Sequence, residues 1–282
     1  MDYLIIGSGV AGVSAAKEII KERNKKDSIT IISKESYPFY YRPRLIHCLS
    51  GKVEIDDIII NDYNWFEKND IDLRLNEKVK KISIEKKTVF TEKDEYVYDR
   101  LLLANGAHSF IPPIPGAEKE NVFTLRKAED AEKIYKIACK KERAIVIGGG
   151  LLGLESAYNL KKAGLEVTVI ERGSYLLQRQ LDKKGGEILK KILQEKGLNF
   201  ALNANTKEIL GNDKVENVLL EDNKSFSADM VLLSTGIRSN IQLVKDTAIN
   251  INKGIIVNDK METNIDDIYA AGDVAEHDGR VY

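Results

Sequence analysis

The feature that most limits what this chain can fold into is a duplication. DYLIIGSGVAGVSAAKEII near the start and RAIVIGGGLLGLESAYNLKKAG past the middle share one pattern: a short apolar strand, G-x-G-x-x-G, then a helical run. A second strand follows each, SITIIS in the first copy and EVTVIE in the second. Short alternating stretches with turn residues between them, KVKKISIEKKTVF and NVLLEDNKSF, predict a small antiparallel meander in each copy. Each copy closes on an apolar strand that ends in a polar residue and glycine, LLLANG and VLLSTG. Self-similarity of this kind predicts two copies of one unit. The expected fold class is α/β, with two Rossmann-like dinucleotide-binding domains, each a parallel sheet plus a β-meander.

The joins between the copies are legible. FIPPIPG, with Pro112, Pro113 and Pro115, cannot continue a helix or a central strand and is expected to be a linker. The stretch after Gly236, through IYAAGD, has no counterpart in the second copy. It is expected to return to the first domain and complete its sheet with IYAAG. The expected domains are therefore residues 1–110, an inserted domain at 111–238, and a return at 239–282. A chain of 282 residues has room for two such domains and is too long for one simple core.

Composition narrows the partners. Lys and Arg number 43 against 44 Asp and Glu, so no net field argues for nucleic acid or an acidic membrane surface. No apolar run approaches the ~20 residues of a membrane helix. Asp2 leads at once into the strand-like YLIIG, so no leader segment is expected. Cys48 and Cys139 are far apart and form no C-x-x-C, which predicts neither a disulfide framework nor a zinc site and fits a reducing cytoplasm. His47, His108 and His277 are scattered, so no metal site is expected.

Each glycine of G-x-G-x-x-G has a task. The first allows the tight turn from strand to helix, and the second lets the backbone approach a pyrophosphate. The third lets helix and strand pack closely, with the helix N-terminus facing negative charge. Gly7, Gly9 and Gly12 fill these places in the first copy, and Gly148, Gly150 and Gly153 in the second. The second copy ends its next strand in Glu171, where a carboxylate would hold ribose hydroxyls and disfavour a 2′-phosphate, predicting NADH over NADPH. The first copy has Ser33 at that place and Glu35 two residues later. Glu35 is either the ribose ligand there or a solvated loop charge. Two dinucleotide sites in one chain suggest a flavin and a nicotinamide exchanging a hydride.

With these motifs the chain resembles the pyridine nucleotide-disulfide oxidoreductase superfamily along its whole length. The resemblance implies FAD at the first glycine loop and NADH in the inserted domain. LLLANGA resembles the family's A-T-G strand end, with Asn105 in place of threonine before Gly106. IYAAGD resembles its second FAD signature, which implies that Gly272 and Asp273 meet the flavin's ribityl chain; a loop cap is the other role open to Asp273. Val79 matches the position whose backbone meets the adenine. Gly236 closes the nucleotide strand of the second copy. Glu155 matches a family glutamate near the flavin N5, and the resemblance implies a basic partner, for which Arg42 is the candidate. A helix carboxylate facing water is the alternative for Glu155.

No C-x-x-x-x-C follows the second strand, so a disulfide-reductase dithiol is not expected. Cys48 lies several residues past the place of the single redox cysteine found in coenzyme A-disulfide reductases and NADH peroxidases. It is either that thiol displaced or a small packed residue. YPFYYRPRL resembles the Y-x-R-P-x-L of reductases that serve redox proteins, namely rubredoxin reductases, ferredoxin reductases and the N-terminal part of nitrite reductase large subunits. GIRSN departs from their G-I-R-P-N at Ser239, a change expected to alter only loop rigidity. The resemblance implies an FAD-dependent reductase that takes hydride from NADH and passes electrons to rubredoxin or a similar small protein. A nitrite-reductase module, a coenzyme A-disulfide reductase or NADH oxidase using Cys48, and a flavin-binding sensor are the alternatives. Relatives continue into a helix and a C-terminal interface domain. The chain is accordingly expected to be a fragment with weak flavin retention.

Overall fold

In the computed structural model, which describes residues 1–281, the apolar run before each glycine loop is the central strand of a five-stranded parallel sheet. The first sheet runs, from edge to edge, Ile268–Ala270, Arg100–Leu103, Asp2–Ile6, Ser28–Ile32 and Ile71–Arg74. The second runs Val122–Phe123, Met230–Leu233, Arg143–Ile147, Glu166–Glu171 and Leu198–Leu202. The strand orders correspond, and the difference lies at one edge. The first sheet takes its edge strand from late in the chain, where Ile268–Ala270 pairs with Arg100–Leu103. The second takes its edge from Val122–Phe123, just after the proline-rich linker. Each copy also carries a three-stranded antiparallel meander, Val79–Ser83, Thr88–Thr91 and Glu95–Val97 in one, Thr206–Leu210, Asn217–Leu220 and Ser225–Ser227 in the other.

Side-chain alternation decides which face meets which layer. Ile5 packs with Val13 and Ala16 of the helix Val10–Glu22, whereas Leu4 and Ile6 pack with Ile82 and Val89 of the meander. Burying each of the valine, leucine and isoleucine side chains among them stabilises the fold by roughly 1.5–3 kcal/mol. In the second copy Ile145 and Ile147 pack with Ile209 and Val218 of the second meander. Both sheets are thus covered on two faces, which is why their strands are continuously apolar.

The chain divides into two compact units, one of Met1–Tyr41, Ile59–His108 and the chain from Ile237 onward, the other of Arg42–Ile58 and Ser109–Gly236. The linear boundary at residue 110 did not anticipate that Arg42–Ile58 groups with the second unit. Its short helix Leu45–Cys48 buries Leu45, Ile46 and Cys48 against the helices Ala128–Ala138 and Leu151–Lys162. At Gly51 a Cβ would lie 2.3 Å from the Tyr135 hydroxyl, so a side chain there would require Tyr135 to swing away.

Near its end the first unit holds a buried acid. Glu276, 3% exposed, sits in the strand Ala275–His277 and accepts hydrogen bonds from the Gly254 N–H and the Asn252 amide, both at 2.8 Å. Burial pushes its pKa up, but these donors outweigh it and hold the carboxyl below its ordinary 4.5. A depressed folded pKa means stability that is present above the unfolded value and lost as pH falls through the folded one. Glu276→Gln should therefore melt below the parent at neutral pH and converge with it under pH 4.5. The neutral-pH gap should be several degrees, since a hydrogen bond to a charged group contributes roughly 1.5–3 kcal/mol and about 1 kcal/mol moves Tm by ~2–4 °C at this size. Thermal unfolding followed by circular dichroism from pH 3.5 to 7.5 checks this.

Candidate dinucleotide sites

The two glycine loops have the same local geometry. Gly7 has φ +115° and a Cβ there would lie 2.2 Å from the Ala104 carbonyl oxygen; Gly148 has φ +118° and the same 2.2 Å approach to Ser234. Cβ atoms at Gly12 and Gly153 would lie 2.0 Å from the carbonyls of Gly7 and Gly148. Gly9 and Gly150 differ: a Cβ at either would meet nothing within 4 Å. Each is the N-cap of its helix, Val10–Glu22 or Leu151–Lys162, with no side-chain cap and no acidic residue in the first turn. The first helical N–H groups, which have no intrahelical partner, therefore face open space under a partial positive charge. That space is of the kind a pyrophosphate fills and a side chain would block, so both loops fit a dinucleotide.

In the first unit, several sequence-predicted residues converge beside the loop. Gly272 lies against the first glycine helix, where its Cβ would be 3.0 Å from the Ala11 Cβ. Asp273 follows it, half-buried, and its backbone carbonyl accepts a 2.8 Å hydrogen bond from the Ser239 hydroxyl. Asn105 donates through its amide to the Asn240 carbonyl at 2.8 Å, while the Gly106 carbonyl accepts from the Asn240 N–H at 2.9 Å. The Asn105 Oδ1 is buried with no partner among the described residues, an acceptor without a donor beside the glycine loop.

Glu35 and Val79 lie on joined loops. The Glu35 carboxylate accepts from the buried Tyr40 hydroxyl, and its carbonyl accepts from the Asn76 N–H at 3.0 Å. The Glu77 N–H reaches the Ser33 carbonyl at 2.9 Å, and Val79, half-buried, opens the meander two residues on. Sequence reasoning missed Glu77. It is 4% exposed and accepts from Thr91 at 2.6 Å and Tyr96 at 2.9 Å, and burial together with this carboxylate pushes the Tyr96 phenol up to about 12. In LNEKVKK it looks like one more surface charge.

In the second unit the Glu171 carboxylate accepts from the Gly149 N–H at 2.6 Å and the Gly173 N–H at 2.7 Å. A carboxylate offers about four lone-pair sites, so two remain for ribose hydroxyls. Gly236, exposed with φ +103°, accepts the Phe110 N–H at 2.8 Å. The structure does not join Glu155 and Arg42. Glu155 is exposed on the helix Leu151–Lys162 and makes no ion pair among the described residues, while Arg42 donates to the Arg126 carbonyl. Cys48 is 6% exposed, and burial is the main cause that pushes its thiol up to about 11, so it is protonated and unreactive at neutral pH. Among the described residues no helix is long and apolar enough to cross a membrane.

Two parallel sheets, each opening on a glycine cradle of the same geometry, define an oxidoreductase fold built to hold two dinucleotides. The chain belongs to the pyridine nucleotide-disulphide oxidoreductase family, whose model it matches over residues 1–281, a family of FAD- and NADH-linked oxidoreductases. It is 43% identical over 280 residues to the nitrite reductase [NAD(P)H] of Bacillus subtilis, covering 99% of this chain and 35% of that protein. It is 38% identical over 278 residues to the NADH-rubredoxin oxidoreductase of Clostridium acetobutylicum, covering 98% of this chain and 69% of that one. Its structure is similar to that of an NAD-dependent persulfide reductase from A. fulgidus, with a TM-score of 0.93, 34% identity, and coverage of 98% and 53%. The chain thus spans 35% of the nitrite reductase and 53% of the persulfide reductase.

The glycine geometry separates folding from binding. Gly7→Ala should lower stability by roughly 1–3 kcal/mol or more, because a side chain is forced into a strained φ against a carbonyl. Gly9→Ala should cost the flavin-free chain much less stability than Gly7→Ala, only the weaker N-cap, and weaken FAD binding. Thermal unfolding beside FAD titration distinguishes the two. In the second unit, Glu171→Ala should weaken NADH binding about 10-fold or more while leaving NADPH binding nearly unchanged, since hydrogen bonds to a charged group contribute roughly 1.5–3 kcal/mol. Titrating each nucleotide by fluorescence measures the ratio.

Proposed function

We propose that this chain is the FAD- and NADH-binding part of a cytoplasmic reductase that takes a hydride from NADH and passes electrons to a small redox protein such as rubredoxin. The observation that supports it most is the pair of glycine cradles of matching geometry in one chain, each open at its middle glycine. The domain at residues 1–110 and 239–282 is assigned to FAD, and the inserted domain at 111–238 to NADH. Gly7, Gly9 and Gly12 receive the FAD pyrophosphate, Glu35 its ribose, and the Val79 backbone its adenine. Asn105, Gly106, Gly272 and Asp273 surround the ribityl chain. Gly148, Gly150 and Gly153 receive the NADH pyrophosphate, Glu171 holds the ribose hydroxyls and Gly236 borders the site. Bound FAD supplies a carrier that takes two electrons together and releases them singly.

The chain's own residues then have to bind, orient and exclude competing chemistry. Orientation supplies most of the effect in such a transfer, which suits a site made largely of backbone. Glu155 makes no ion pair among the described residues; it and Arg42 are assigned as the catalytic residues near the flavin N5, with Arg42 supplying positive charge that favours an anionic reduced flavin. With no dithiol in the sequence and Cys48 protonated, electrons leave to an external acceptor. A nitrite-reductase-type NADH dehydrogenase module is the second reading, favoured by the 43% identity to the Bacillus subtilis protein.

Stopped-flow mixing of the FAD-loaded chain with NADH tests the proposal. Rapid bleaching of the flavin's visible absorbance followed by rapid recovery on adding oxidised rubredoxin is expected. Recovery no faster than with buffer removes rubredoxin as the acceptor, and slow bleaching to a persistent long-wavelength band favours a sensor. Cys48→Ser should leave both rates within about twofold, as befits a thiol held protonated by burial. Loss of turnover in that variant favours reduction of a coenzyme A disulfide instead.

A further inference from the structure

We infer that Ser239, with Asn240 beside it, positions the flavin-binding loops of the first unit: the Ser239 hydroxyl holds the Asp273 peptide, and Asn240 holds Asn105 and Gly106. This rests on the assignment of the first unit to FAD.

Ser239 is 7% exposed, and a hydroxyl so buried needs a hydrogen-bond partner. Its partner is the Asp273 carbonyl at 2.8 Å, 34 residues along the chain. A peptide unit is planar, so holding that carbonyl holds the plane between Asp273 and Val274 and with it ψ at Asp273. The control matters here because the preceding residue is Gly272 at φ +76°, the softest kind of link in a backbone. Proline, which stands at this place in the G-I-R-P-N pattern, has no hydroxyl to donate. The departure at Ser239 therefore adds a bond where it was expected only to loosen a loop.

The next residue fixes the other arm. The Asn240 side-chain amide donates to the Asn105 carbonyl at 2.6 Å, and its carbonyl accepts the Asn105 amide at 2.8 Å. Its N–H meets the Gly106 carbonyl at 2.9 Å, and its Oδ1 meets the His108 Nδ1 at 2.8 Å. Two adjacent residues thus tie down both loops assigned to the ribityl chain. Loops ordered before the ligand arrives lose less conformational freedom on binding, which raises affinity without adding a contact.

The isosteric pair Ser239→Thr and Ser239→Val tests this in the 282-residue chain. Threonine keeps the hydroxyl and valine lacks it, while their bulk is matched, so any crowding affects both alike. FAD is titrated into the flavin-free proteins by fluorescence quenching, and each flavin-free protein is melted. Binding about 5- to 10-fold weaker in Ser239→Val than in Ser239→Thr, the loss expected for one hydrogen bond, supports the inference. Because the bond is already formed in the flavin-free protein, Ser239→Val should also melt somewhat below Ser239→Thr. Equal FAD affinities in the two variants overturn it, as does a fall in the Ser239→Val melting temperature that leaves affinity untouched. If the unaltered chain takes up no FAD, the assignment of the first unit fails and the inference falls with it; if the unaltered chain binds FAD and the variants do not differ, the inference alone fails.

Discussion

The structure depends on how closely a backbone turn can approach the carbonyl of the neighbouring strand. At Gly7 and again at Gly148 the turn comes so near to Ala104 and Ser234 that a Cβ would sit 2.2 Å from the oxygen. This contact sets where each helix begins relative to the sheet, and hence where its unpaired N–H groups point. Any side chain there would push the strand away or rotate the turn, and the helix N-terminus would no longer face the space beside Gly9 or Gly150. Because the constraint acts on backbone atoms, the residues between and after the glycines are free to differ. The two copies share few other side chains, yet the contact distances agree.

Much of the fold was legible because it is written in local rules. Alternating or continuous apolar runs give strands, and glycines at a fixed spacing require positive φ and close approach. Return of the chain to its first sheet could be read from IYAAG because the sheet had an unfilled edge, and Ile268–Ala270 pairs there. What was not legible depends on partners distant in sequence. The apolar LIHC helix could have packed against either unit, and nothing local tells it to choose the helices Ala128–Ala138 and Leu151–Lys162. Glu77 looks like a solvated charge until Thr91 and Tyr96 fold back over it, 14 and 19 residues later. The pairing of Glu155 with Arg42 came from resemblance alone. In the structure Arg42 donates to the carbonyl of Arg126, a backbone acceptor that no side-chain pattern in the sequence announces.

The two copies also differ in the carboxylates near their glycine loops. Glu171 ends its strand, whereas Glu35 lies three residues beyond the equivalent strand, Ser28–Ile32. Glu171 is gripped by two backbone N–H groups, at 2.6 and 2.7 Å from Gly149 and Gly173. Charge-assisted bonds to backbone leave the carboxylate little room to turn, so it presents its remaining lone pairs in a fixed direction. That suits a site which must tell a ribose hydroxyl from a phosphate at the same position. The Glu35 carboxylate accepts from the Tyr40 hydroxyl among its contacts. The backbone of the unit is thus the same in the two copies by steric necessity, while the side chains beside each glycine loop differ.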